Sequence, residues 1–163
     1  MEVQTAQSNK KNRNTAASDA ETDIRKLLED FHAAIHAGDI DKIMSFYARD
    51  VVAFDMMPPL QFAGAESYRE AWQKGFDTGA TMKFETHDLK ITAGADVAFC
   101  HSLLHCTGPK KDGTEMDMWI RWTDCLRKVD GKWLIAHEQV SVPVDMESGK
   151  ALFDLKPQSL APN

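Results

Sequence analysis

The sequence predicts an α+β domain in which helices come first and a curved antiparallel sheet then wraps onto them. In the first half of the chain, apolar residues recur at helical spacing. From Met82 the period changes to that of extended chain, broken by turn signals. Helices segregated to one face of an antiparallel sheet make a domain of this class.

Taken in order, residues 1–17 are rich in Asn, Gln, Thr and Lys, lack apolar periodicity and read as a disordered tail. Ser18-Asp19-Ala20-Glu21 fits a capping box. Behind it Ile24, Leu27, Leu28, Phe31 and Ile35 form a helical stripe. Gly38 ends that helix, and Asp39 caps a short second one carrying Ile40, Ile43, Met44 and Tyr47. Residues 47–55 hold a short β-run ending on Asp55. After Pro58, Pro59 and Gly64 a third helix has Ala65, Tyr68, Trp72 and Phe76 on one side and Gly79 as its stop. Residues 82–92, 97–107, 115–129 and 132–142 read as strands, with turns at 93–96 and 108–113 and a hairpin signal at Asp130-Gly131. Residues 18–145 then form one domain, and 146–163 form a tail lying loosely on the surface. A curved sheet closed onto helices is a cone, and its inside is the favoured place for a ligand.

The composition limits function. With 163 residues, 43% of them hydrophobic, the chain can bury a sizeable core. A net charge of −6 argues against nucleic acid or an anionic membrane as partner. No apolar run is long enough to span a membrane, and no apolar stretch follows the basic N-terminal residues as in a secretory signal. Cys100, Cys106 and Cys125 are odd in number and lack metal-like spacing, so they read as reduced thiols of a cytoplasmic protein. No phosphate-binding or dinucleotide fingerprint is visible, and no organic cofactor is expected. His32 and His36, four apart near Glu29, read as a solvated helix edge rather than a metal site. His101 and His105 are roughly 13 Å apart along a strand and cannot chelate one ion by themselves. No metal is expected.

Two carboxylates stand out. Asp55 ends a strand and is followed by the uncharged Met56, Met57, Pro58 and Pro59. At the rim of an apolar surface its pKa would rise, which suits a general base, although a strand-end Asp also serves as a turn former or cap. Asp124 sits mid-strand, where Asp is disfavoured, on one face with Ile120, Trp122 and Leu126. There it would stay protonated; on the opposite face it would meet solvent or pair with Arg127 or Lys128. A two-residue turn at Asp130-Gly131 pairs Asp124 with His137, and a three-residue turn pairs it with Ala136. Met56, Met57 and Met82 serve as core filler or as a flexible pocket wall.

Several phrases carry a resemblance: residues 37–43 (AGDIDKI), 46–50 (FYARD), 51–55, 62–64 (FAG) and 126–133 (LRKVDGKW). Over residues 20–143 the chain resembles the nuclear-transport-factor-2-like (NTF2-like) superfamily, and is most similar to its ketosteroid isomerase and SnoaL-like polyketide cyclase branch. The resemblance implies a cone-shaped, cystatin-like α+β barrel with three N-terminal helices. In ketosteroid isomerases an Asp base works with a tyrosine hydroxyl and a protonated Asp. By position, the base falls on Asp55, the protonated Asp on Asp124 and a supporting tyrosine on Tyr47. Phe31 stands where the family keeps its oxyanion-hole tyrosine and brings no hydroxyl. Trp72 lies near the place of a second supporting tyrosine. The resemblance favours the Ala136 register. Ala136, Glu138 and Val140 would then line the substrate pocket with Asp124 and Trp122, with Met57 in its wall. Trp119, Arg121, Trp133 and His137 would lie on an outer face apolar enough to imply a homodimer. The implied activity is proton abstraction beside a carbonyl, leading to isomerisation or aldol-type cyclisation of a small apolar molecule. The other implied class is a non-catalytic small-molecule-binding or assembly module, which Phe31 favours.

Overall fold

The computed structural model describes residues 2–79, 82–110 and 112–160, with side chains from residue 17 on; Lys111 in the 108–113 turn, Pro162 and the side chains of the expected tail up to residue 16 lie outside the described residues. Helix α1 spans Glu2–Ala37. It starts earlier than the Ser18 capping box predicts: Ser18 is an interior helical residue whose carbonyl accepts the Thr22 hydroxyl at 3.0 Å. The stretch before it contains Ala, Gln and Lys, which are good helix formers, so the helix runs through. Among the described side chains, the buried stripe begins at Ala20 and continues through Ile24, Leu28, Phe31, Ala34 and Ile35. Gly38 ends α1 at φ 67°, its N–H bonding to Ile35 and the Asp39 N–H to Ala34. That double closure needs a left-handed residue, which glycine supplies without strain. Asp39 then caps α2 (Ile40–Met44) by accepting the Lys42 N–H at 2.9 Å.

Strand β1 (Tyr47–Phe54) and the short β2 (Phe62–Ala63) precede α3 (Ala65–Asp77). The meander follows as β3 (Lys83–Ala93), β4 (Val97–Pro109), β5 (Glu115–Val129) and β6 (Lys132–Ser141). The sheet order is β2-β1-β6-β5-β4-β3. The four long strands pair antiparallel, as the sequence predicts. β1 joins β6 in parallel, a pairing the apolar pattern does not announce, since periodicity assigns a face and not a neighbour.

Register at the last hairpin decides the site. Asp130 (φ 49°) and Gly131 (φ 80°) both take the left-handed region, which makes a two-residue turn pairing Val129 with Lys132. A bulge then intervenes: Leu126 pairs with Ile135 but Cys125 pairs with His137, leaving Ala136 as the extra residue. Asp124 therefore opposes Glu138, neither His137 nor Ala136. The two-residue turn also corrects the place of Trp133, which pairs with Lys128, two residues on from the inward-facing Leu126. With Ile135 it shares the face of Glu138 and Val140, and it is buried in the core rather than on the outer face. Trp119 is on the outer face but is covered: His105 stacks on it at 4.6 Å, and the Phe153 carbonyl accepts its backbone N–H at 2.8 Å. The C-terminal segment, expected to lie loosely, is tied to the sheet there, by the Ser159 hydroxyl to Asp88, and by burial of Pro157.

Candidate active site

Inward-facing residues of β5 and β6 place two acids side by side in an otherwise apolar core. Asp124 is 3% exposed and Glu138 0%. Such groups persist only if hydrogen-bonded or neutral, and both conditions operate. The Tyr47 hydroxyl donates to Glu138 Oε2 at 2.7 Å. The Tyr68 hydroxyl is 2.5 Å from Glu138 Oε1 and 3.0 Å from Asp55 Oδ2. A phenol has one proton to donate. One of these contacts is therefore donated to Tyr68, and Glu138, whose pKa burial and the neighbouring Asp124 push well above the carboxylate range, is the protonated donor. Burial likewise raises Asp124 to about 7, against the opposing effect of the neighbouring Trp122, Glu138 and Cys100 groups. The Trp122 indole donates to Asp124 Oδ1 at 3.1 Å, and the Cys100 thiol lies 3.8 Å from Oδ2.

A cavity of about 170 Å³ opens beside Asp124, between α1 and strands β3, β4 and β5. Its wall carries Asp124, Trp122, His32, Cys100, Ser102 and Thr86, with Arg25 and Glu29 also lining it. His32 is no solvated helix edge. Phe84 and Trp122 pack on its ring at 5.3 and 6.3 Å, and burial lowers its pKa to about 4, so the imidazole is neutral at pH 7.

The structure thus brings Asp55, Tyr47 and Glu138 into one hydrogen-bonded group through Tyr68, with Asp124 opposite Glu138 on the neighbouring strand. Asp55, partly buried, belongs to it through Tyr68 and also accepts the Met57 N–H at 3.1 Å; it does not line the Asp124 cavity. Met57 lines a different groove with Pro58, Pro59, Phe62 and Lys74. Phe31 is fully buried, edge-on to Tyr47, Trp72 and Trp122. Trp72 packs on Phe31, Tyr68 and Phe76, and its buried indole N–H has no partner among the described residues. Val140 is buried opposite Trp122. Sequence reasoning placed Tyr68 on the buried side of α3 without giving it a role. The available signal was that a buried tyrosine hydroxyl needs a polar partner. Among the described residues, no group of three or more His, Cys, Asp or Glu is arranged to hold a metal ion, and no helix is long and apolar enough to cross a membrane.

A family model described as the SnoaL-like domain matches residues 24–145. No curated protein matches significantly. Among solved structures, the chain is similar to an NTF2-like protein of unknown function from Pseudomonas putida KT2440, at 38% identity and TM-score 0.80 over 86% of this chain and 99% of that one. A ketosteroid isomerase-like protein from Erwinia carotovora atroseptica SCRI1043 is 23% identical, with TM-score 0.64 over 74% of this chain and 93% of its own. A protein of unknown function with a cystatin-like fold from Nostoc punctiforme PCC 73102 is 20% identical, with TM-score 0.62 over 74% and 88%.

Proposed function

Because the chain belongs to the SnoaL-like domain family, we propose that it is an acid–base enzyme that moves a proton at the carbon beside a carbonyl of a small substrate, by isomerisation or ring closure. The observation that carries this reading is the Asp124 carboxyl, buried and held at about 7, in the wall of a cavity. A general base works best when its pKa lies near the working pH. In this reading proton abstraction falls to Asp124 rather than Asp55, because Asp124 lines the cavity. The Ser102 and Thr86 hydroxyls and the neutral His32 supply uncharged groups for the oxygen on which charge develops. Each well-placed donor of this kind is worth roughly 2.7–4 kcal/mol in the transition state. Tyr47 holds Glu138, and Glu138 sits behind Asp124.

Size narrows the substrate. A cavity of roughly 150 Å³ accommodates benzene, so about 170 Å³ suits a molecule of one ring and not a fused steroid skeleton. The outer sheet face exposes Val97 (67%), Phe99 (48%) and Phe54 (40%), and a homodimer would cover it.

The test is deuterium exchange beside the carbonyl, followed by NMR in deuterated water. Single-ring ketones should exchange faster with protein than without it, and fused-ring ketones should not. Asp124→Asn should lose about 10²–10⁴-fold, the usual worth of a general base. Exchange no faster than in protein-free controls across the panel would support the binding-module reading, which the absent hydroxyl at Phe31 favours.

A further inference from the structure

We propose that Tyr68 is a proton relay linking Asp55 through Glu138 to Asp124, so that the cavity carboxyl exchanges its proton with solvent from behind while the cavity is filled. The proposal rests on Asp124 being the acid–base group of the cavity. Its geometry is a chain of oxygens. Asp55 Oδ2 lies 3.0 Å from the Tyr68 hydroxyl, which lies 2.5 Å from Glu138 Oε1. Glu138 is the directly opposed cross-strand partner of Asp124, and the two buried carboxyls adjoin on the inward face of the sheet. Asp55 is the only carboxyl of the three that is not buried. The cavity wall includes Asp124 but neither Glu138 nor Tyr68, so a bound substrate leaves the chain intact.

The protons balance along it. In one state Asp124 donates to Glu138, Glu138 to Tyr68 and Tyr68 to an ionised Asp55. In the other Asp55 donates to Tyr68, Tyr68 to Glu138 and Glu138 to an ionised Asp124. Passing between them breaks and forms one O–H bond at each link. Passing from the first state to the second, the net result is one proton moved from Asp124 to Asp55 and one negative charge moved the other way. A carboxyl suits the middle position, because it takes a proton on one oxygen and releases it from the other. Tyr47 fixes Glu138 from the side and is not a link, since the structure gives its hydroxyl no second carboxyl partner. The other groups around Asp124 are Cys100 and Cys125 of the sheet, and Arg25, Glu29 and His32 of α1 across the cavity. None of them touches Asp55 Oδ2.

The Trp122 indole N–H, which donates to Asp124 Oδ1, reports the ionisation of Asp124 without any substrate. Its ¹H–¹⁵N resonance is followed against pH in wild type, Asp55→Asn, Tyr68→Phe and the double variant. Asp55→Asn should move the midpoint by about one pH unit in the wild-type background, as expected for groups in one hydrogen-bond network. It should move it little in the Tyr68→Phe background. An equal movement in both backgrounds would mean that Asp55 acts only as a charge through space, and would overturn the relay. So would no movement in either. If Tyr68→Phe does not fold, fluorotyrosine at the two tyrosines keeps the hydroxyl and makes it more acidic. The Asp55→Asn displacement should then change, and an unchanged displacement overturns the proposal. No turnover is needed, so a protein inactive on every ketone leaves this test standing.

Discussion

Replacing Asp124 with asparagine converts the buried carboxyl into a neutral group of nearly the same shape, and the change in the pH dependence of stability reports what that carboxyl contributes, its push on Glu138 included. In the folded protein its pKa is about 7, against 3.8 in an unfolded chain, so the folded state holds the proton more tightly. Below pH 3.8 both states are protonated and the full contribution to stability is present. As the pH rises from 3.8 to about 7 the unfolded chain ionises alone, and stability is lost at about 1.4 kcal/mol per pH unit, or about 4 kcal/mol in all. His32 has the opposite sign. Its pKa falls from 6.5 to about 4 on folding, so stability is gained as the pH rises through that window, by about 3 kcal/mol. Glu138 acts in the same direction as Asp124. The wild-type profile is therefore a partial cancellation and is the wrong quantity to read. The difference between wild type and Asp124→Asn removes the His32 contribution. Urea unfolding at a series of pH values gives the free energies by linear extrapolation. Wild type should lose about 4 kcal/mol relative to the variant between pH 4 and pH 8. A difference constant across that range would refute the claim that Asp124 stays protonated when folded.

Other outcomes follow from the same geometry. Phe31→Tyr places a hydroxyl among Phe46, Tyr47, Trp72 and Trp122, and should lower stability by about 1–3 kcal/mol in urea unfolding. Phe31 does not line the Asp124 cavity, so ketone exchange should stay unchanged; a rise would show that the new hydroxyl reaches the developing oxyanion. Phe99→Asp, on the outer face, should convert a homodimer to monomer in sedimentation while leaving the unfolding midpoint of the monomer nearly unchanged. A wild type that sediments as a monomer at micromolar concentration would remove the homodimer from the account. Trp133→Glu cannot serve for this purpose, because Trp133 is in the core and the charge would unfold the protein.

Much of the architecture was legible because it depends on local signals. The Gly38-Asp39 junction, the Gly79 stop and the Asp130-Gly131 turn each call for a conformation that those residues supply. The places that escaped depend on non-local geometry. The two-residue turn puts Trp133 inward, and the bulge at Ala136, where β6 runs between β5 and β1, adds the one residue that brings Glu138 opposite Asp124. Asp124 was recognisable as an acid on an apolar face. Glu138 was expected in the pocket as a substrate contact, and its position between two tyrosines follows from the approach of β1 and α3. Tyr68 looked like core because it lies on the same helical stripe as Trp72. Only the sheet shows what its hydroxyl meets. His32 escapes sequence analysis for the same reason: helical spacing puts it at the edge of the stripe, and β3 and β5 close over it.

The claim on which the functional account turns is that a carboxyl facing the cavity exchanges its proton near neutral pH. The most direct measurement is the ¹³C NMR titration of the Asp124 carboxyl carbon in the ligand-free protein, assigned by its loss in Asp124→Asn. The account predicts a midpoint at about 7. A midpoint near 3.9, the ordinary value for an aspartate, would contradict it.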